Sequence, residues 1–170
     1  ASKVDLTFRT RLNSGSGGTE HMRITNDGYV TTPNQPYFAA VCAGTSAYTS
    51  FGQAVALPFN STARNIGGHF STSNYRFTAP VTGKYAFSAG VITNDANPVG
   101  RMMFFINGSQ DYLGIKFGIS GSNTAGGGST NTSAIIHLLA NDYVDVRSQS
   151  GSMIAYTGGG HSSFTGTLIS

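Results

Sequence analysis

Between residues 59 and 87 a set of widely spaced anchors constrains this chain more than any other feature. They are Phe59, Asn65, Phe70, Phe77, Gly83 and the run Lys84-Tyr85-Ala86-Phe87. The gaps of five, four, six and five residues between successive anchors match neither the 3.6-residue period of a helix nor the simple alternation of one strand. They fit several short strands with their turns included, so the spacing predicts a particular β fold.

Composition agrees. With 170 residues the chain suits one ordinary domain and a modest appendage, and it is long enough to bury a core without disulfides. The 23 glycines, the abundant Ser, Thr and Asn, and a charged fraction of only 10% favour short strands and turns over helices. Ten Lys and Arg against seven Asp and Glu give +3, but the basic residues are scattered from Lys3 to Arg147. Nucleic-acid binding needs a dense basic patch, so no nucleic-acid partner is expected. A chain this poor in charge stays soluble through hydroxyls and amides, a habit of extracellular and virion-surface proteins.

Cys42, the single cysteine, lies in the apolar run 37–43. Without an intrachain partner it reads as a buried structural thiol, and the fold must be held by packing and association. No leader is recognised and no apolar stretch is long enough to span a bilayer, so membrane insertion is not expected.

The ingredients of catalysis are scattered. His21, His69, His137 and His161 show no metal-ligand spacing. A Cys42–His69 nucleophile pair would place a thiolate in an apolar strand, where it is disfavoured. Asp142 and Asp145 stand three apart around a tight turn and suit turn formation better than paired acid–base work. The glycine-rich segment 118–128 lacks the Lys-Ser/Thr ending of a phosphate loop. The expectation is a protein without catalytic residues.

Two parts follow from the patterning, 1–36 and 37–170. The first contains Leu6-Thr7-Phe8-Arg9-Thr10, a Gly/Ser-rich break, and Met22-Arg23-Ile24-Thr25-Asn26-Asp27-Gly28-Tyr29-Val30, whose Asn-Asp-Gly is a hairpin signal. It is too poor in apolar residues for its own core and would order best wrapped with copies of itself. In the second part, alternation and turn chemistry predict strands over 37–43, 75–79, 83–93, 100–106, 112–118, 130–139, 143–149 and 162–169. A short pair is expected near 54–57 and 69–71. Turns at 80–83, 107–110 and 140–142 are tight, and the remaining connections are long.

The Phe59-to-Phe87 spacing resembles the signature of the complement component 1q globular domain, an antiparallel jelly-roll sandwich of the tumour necrosis factor class. The likeness continues through Leu138-Leu139-Ala140-Asn141-Asp142-Tyr143-Val144-Asp145-Val146, with Asn141 where Gly is usual, and Ser162-Ser163-Phe164-Thr165-Gly166-Thr167-Leu168-Ile169-Ser170. One position departs: the signature's last aromatic, two after Phe87, is Ala89 here. The segment before the head resembles the shafts that precede head domains in bacteriophage tail fibres, carried by Leu6 to Thr10, Met22 to Val30 and Pro33-Asn34-Gln35-Pro36. Its lack of a Gly triplet repeat separates it from the collagen stalk of complement-type proteins.

These resemblances imply a homotrimer whose threefold interface uses Tyr85, Phe87, Met103, Phe105 and Phe164. Strand 100–106, apolar on both faces, and strand 83–93, with Ala86, Ser88 and Gly90 on one side, agree with a close neighbour or with cover from the chain's own loops. If strands alternate up and down, the long connections share the pole opposite the stalk. That tip would present Tyr48, Asn94, Asp95, Asn97 and Tyr156, a set suited to polar ligands. The expected function is a non-enzymatic receptor-binding head on a virion tail fibre, preceded by a fibre or tail protein and recognising a host cell-surface glycan or protein. The alternatives are a secreted complement-type, lectin-like or cytokine-like domain and a structural trimerisation cap. Some relatives bind calcium in apical loops, but Asn94, Asp95 and Asn97 supply one carboxylate, so no metal or other cofactor is expected unless three copies share an axial ion.

Overall fold

The computed structural model describes residues 4–10, 17–45, 47–52, 54–93, 101–110, 118–119, 128–148 and 153–170. Two compact units divide the chain, Ala1–Gln35 and Pro36–Ser170. All regular structure among the described residues is β.

The first unit is an antiparallel sheet of β1 (Leu6–Thr10), β2 (Thr19–Ile24) and β3 (Val30–Thr31), in that order. Gly28, at φ +86°, closes the expected hairpin by donating its N–H to the Thr25 carbonyl at 2.9 Å. A bulge opposite Phe8 and Arg9 lets Glu20 and Arg23, three apart, meet on one face. There Arg23 donates to both Glu20 oxygens at 2.8 and 2.7 Å and also to Asp5, while Arg9 reaches Glu20 at 3.1 Å. The hydrogen bonds from Arg23 hold both carboxyls below their usual range.

In the second unit the strands are β4 (Tyr37–Val41), β5 (Tyr48–Phe51), β6 (Ser61–Ile66), β7 (Phe70–Ser71), β8 (Arg76–Thr78), β9 (Gly83–Thr93) and β10 (Arg101–Ile106). They continue with β11 (Ser109–Gln110), β12 (Gly118–Ile119), β13 (Gly128–Leu138), β14 (Tyr143–Ser148), β15 (Met153–Tyr156) and β16 (Ser163–Leu168). One sheet runs β5-β15-β9-β16-β4-β6, with β13 on the other edge of β9. The facing sheet runs β11-β10-β14-β8-β7, with β12 beside β10. This is the expected jelly-roll sandwich.

Aromatic rings join the two sheets. Phe38 of β4 stacks on Phe70 and Phe77 of the opposite sheet at 4.7 and 5.1 Å and meets Phe164 edge-on at 4.8 Å. Phe87 and Phe104 extend the cluster, with ring centroids 5.9 Å apart. Gly166 makes this density possible, because a Cβ there would lie 2.5 Å from the Phe38 ring and 2.6 Å from Phe87.

The opening spacing now has a physical account. Phe59, Phe70, Phe77 and Phe87 are core rings. The Asn65 amide accepts from Phe70 N–H at 3.1 Å and donates to the Phe70 carbonyl at 2.8 Å, clamping the turn between β6 and β7. Gly83 gives room to the chain end: a Cβ there would lie 2.7 Å from the Ser170 carbonyl oxygen. Tyr85 is buried to its hydroxyl, which donates to the Val81 carbonyl at 2.7 Å.

Three tight turns lock together at the end where Pro36 accepts from Leu168 N–H. Asp142 accepts from Leu139 N–H and from the Asn107 amide, while Asn107 accepts from Tyr143 N–H. Asn141 takes φ +73°, a conformation that explains why Gly is usual there and why Asn is tolerated. Asp145 does not belong to this turn. It is fully buried in β14 and paired with Arg147 at 2.6 Å and Arg76 at 3.2 Å.

Several elements differ from the sequence-based layout. The expected strand at 54–57 is reduced to a single bridge, Ala56 with Arg147. Segment 61–66, read as a connection, is edge strand β6; its polar residues alternate on an exposed margin that needs no apolar face. The expected strand at 112–118 falls mostly outside the described residues. Both faces of β10 are closed within one chain, with Met102, Met103, Phe104 and Phe105 at 0 to 2% exposure. The Arg147 guanidinium lies over the Phe105 ring at 4.9 Å.

Three outcomes follow. Gly166→Ala should cost about 1–3 kcal/mol in chemical denaturation, the usual range for overpacking a filled core. Cys42 is 2% exposed and burial pushes its thiol up to about 12, so a thiol reagent at pH 8 should find no reactive group until denaturant is added. The Asp5 and Glu20 pairings contribute stability above the unfolded carboxyl values, 3.8 and 4.5. That contribution is lost as pH falls through the depressed folded values, so amide exchange in β1 and β2, corrected for intrinsic rate, should accelerate on acidification below about pH 4.

Candidate functional site

Strand registers fix the two poles of the head. Pro36, Gly83, Leu138 and Leu168 lie at one end, as the β9–β13 and β9–β16 pairings and the Leu168–Pro36 hydrogen bond require. At the other, Thr93 ends β9 directly opposite Gly128, where β13 begins, and Val41 ends β4 opposite Ser163. The connections leaving these strand ends therefore start at the pole away from Pro36. Asn94, Asp95 and Asn97 lie outside the described residues.

Tyr48 and Tyr156 are brought together, though not on loops. They are register partners on β5 and β15, paired strands at the sheet margin, with their rings edge-to-face at 5.1 Å. His161 adds a third ring, 5.6 Å from Tyr156. Tyr48 is 43% exposed, and His161 is exposed as well. The scaffold beneath is rigid: the buried Ser162 hydroxyl donates to the Tyr156 carbonyl at 2.9 Å, and Thr157 N–H donates to the Ala47 carbonyl at 3.0 Å. Gly159, at φ +64°, leaves the space that the His161 ring needs. Paired Tyr rings beside Ser, Thr and His give a ligand flat apolar surface and directional hydrogen-bonding partners. Sequence reasoning found the tyrosines but not their strands or His161; the alternation Tyr48, Ser50 against Ile154, Tyr156 is too short to stand out.

The residues expected at a threefold interface are buried within one chain. Tyr85, Phe87 and Phe164 are 0 to 3% exposed and pack between the two sheets, and Met103 and Phe105 are 0 and 2% exposed on β10. By parity, β9 and β16 point Tyr85, Phe87 and Phe164 inward, so their alternate residues point out. Ala89 is likewise inward and buried.

The outward side is broad and almost uncharged at its centre. Register places Ala86 between Ile135 and Thr167, Ser88 between Ser133 and Thr165, and Gly90 between Asn131 and Ser163. Tyr37 and Ala39 of β4 continue the same face. Ile135 is 70% exposed, and a shallow hollow of about 330 Å³ lies over Ala86, Ser133 and Ile135. Small side chains of this kind permit close approach by another surface.

Among the described residues, no three His, Cys, Asp or Glu side chains come together as a metal-binding group. Thr10 and His21 share a 2.6 Å hydrogen bond in the first unit.

The head was compared with known proteins. No curated protein matches the chain. Eiger TNF from S. frugiperda shares the fold with a TM-score of 0.59 at 15% identity, over 80% of this chain and 94% of that one. The globular domain of zebrafish complement 1qA protein gives 0.52 at 17% identity, over 80% and 98%. Murine APRIL gives 0.59 at 11% identity, over 79% and 99%. The family model of the C1q domain matches residues 38–169, most of the chain, and the protein therefore belongs to the C1q domain family.

Proposed function

We propose that the chain is the non-enzymatic receptor-binding head of a trimeric phage or phage-like tail fibre, recognising a host cell-surface glycan or protein at the pole away from Pro36. The observation that carries this reading is the Tyr48–Tyr156 pair, with Tyr48 exposed and Tyr156 half-buried on paired strands toward that pole. Domains of the C1q and tumour necrosis factor type typically form homotrimers and are generally binding domains rather than enzymes. The face centred on Ser88, with Ala86, Ser133, Ile135 and Thr165 around it, is the surface through which three copies would associate. The three-stranded first unit supports a fibre shaft, because it is built of hairpins rather than Gly triplets.

The virion tail is accordingly the proposed location, with a fibre or tail protein preceding the shaft. Tyr48 and Tyr156, together with Asn94, Asp95 and Asn97, form the proposed ligand-binding set. A secreted complement-type or cytokine-like domain would share the same head and is the competing reading.

Binding to a printed panel of bacterial surface polysaccharides and animal glycans, with whole-cell adsorption in parallel, separates the readings. The wild-type chain should bind a bacterial glycan or cell surface, and the double variant Tyr48→Ala/Tyr156→Ala should lose at least tenfold in affinity, about 1.4 kcal/mol, at unchanged melting temperature. Preference for animal ligands would favour the secreted domain. No binding at all would favour a trimerisation cap, and release of sugar from any bound glycan would contradict a non-enzymatic role.

A further inference from the structure

The first unit is a sheet with two unlike faces. Register places Leu6 opposite Ile24, Ile24 opposite Val30, and Phe8 opposite Met22, so these five side chains share one face. Leu6, Phe8 and Val30 are 56, 50 and 58% exposed. The other face carries Arg23 with its partners Asp5 and Glu20, and Glu20 also holds Arg9. The charges are therefore paired on one side, and the apolar residues are left uncovered on the other.

A three-stranded sheet of this size has no second layer of its own, and a lone sheet is stabilised only when its apolar face is buried against something. We infer that the Leu6, Phe8, Met22, Ile24 and Val30 face is a self-association surface whose occupants are the same face of two further copies of this chain. This inference rests on the homotrimer reading of the head.

The absence of charge from the face argues for copies rather than a different partner. Symmetry brings identical residues together about an axis, so a charged group there would meet its own like-charged copy. None of the five residues is charged, and the charged residues paired through Arg23 are kept to the opposite side. The trimeric head would also hold the three short units at an effective concentration of order millimolar, which lowers the cost of bringing the faces together.

The test uses the full chain with a single new thiol, since Cys42 is buried and leaves no background. Phe8→Cys, and independently Leu6→Cys, are treated under native conditions with a short trifunctional maleimide. Thr7→Cys, on the charged face, is treated in parallel, and each variant is checked by sedimentation and denaturing gels. The expected result is covalent trimer from Phe8→Cys and Leu6→Cys at five or more times the yield from Thr7→Cys. Equal yields from all three, in particles that sediment as three chains, would overturn the inference while leaving the homotrimer intact. Sedimentation as single chains would overturn the homotrimer reading itself, and this inference with it.

Discussion

Phe38 reaches from β4 to stack on Phe70 and Phe77 of the facing sheet, and Gly166 on neighbouring β16 is what allows it. At 4.7 and 5.1 Å these are the shortest ring-to-ring contacts between the two sheets among the described residues. Because Gly166 presents no side chain, Phe38 and Phe87 close over its backbone, and Phe164 meets Phe38 edge-on and Phe87 at a tilt. The direction of every residue on β9 and β16, inward or outward, then follows from this contact. Once Phe87 and Phe164 face the core, Ala86, Ser88, Thr165 and Thr167 must face out.

That parity separates stability from association. The large rings of β9 and β16 are spent inside one chain, at 0 to 3% exposure, and contribute at roughly 25 cal/mol per Å² of apolar area buried. What remains outside is a surface of small and hydroxylated side chains with Ile135 and Tyr37 as prominent apolar groups. Such a face adds little stability by itself, but it lets backbones approach closely over a wide area. The same division occurs in the first unit, where ion pairs occupy one face and uncovered apolar side chains the other.

Much of this was legible in the sequence. The anchor spacing identified the fold because it records packing and turn constraints together: rings at Phe59, Phe70, Phe77 and Phe87, an amide clamp at Asn65, and a close approach at Gly83. The long strand β9 was placed without error because its alternation runs through eleven residues. Short polar strands were not legible: β6, at the sheet edge, has no buried apolar side to report, and β5 and β15 are defined by pairing with each other across a hundred residues. The residues expected at an interface meet a related limit. Aromatic content marks burial, but a sequence does not say whether one chain or three supplies the cover, and here one chain suffices.

At the pole proposed to bind ligand, the chemistry rests on few groups. Tyr48, Tyr156 and His161 are positioned by backbone pairing, by Ser162 and by the conformation of Gly159, so their geometry is set before any ligand arrives. The proposed trimer depends on the outward face of β9 joining three heads. Sedimentation velocity of the wild-type chain beside Ser88→Arg tests this most directly, since Ser88 is exposed at the centre of the face and touches no core ring. Three chains for the wild type and a single, still folded chain for Ser88→Arg is the expected result. A wild-type monomer, or a Ser88→Arg protein that remains trimeric, would contradict it.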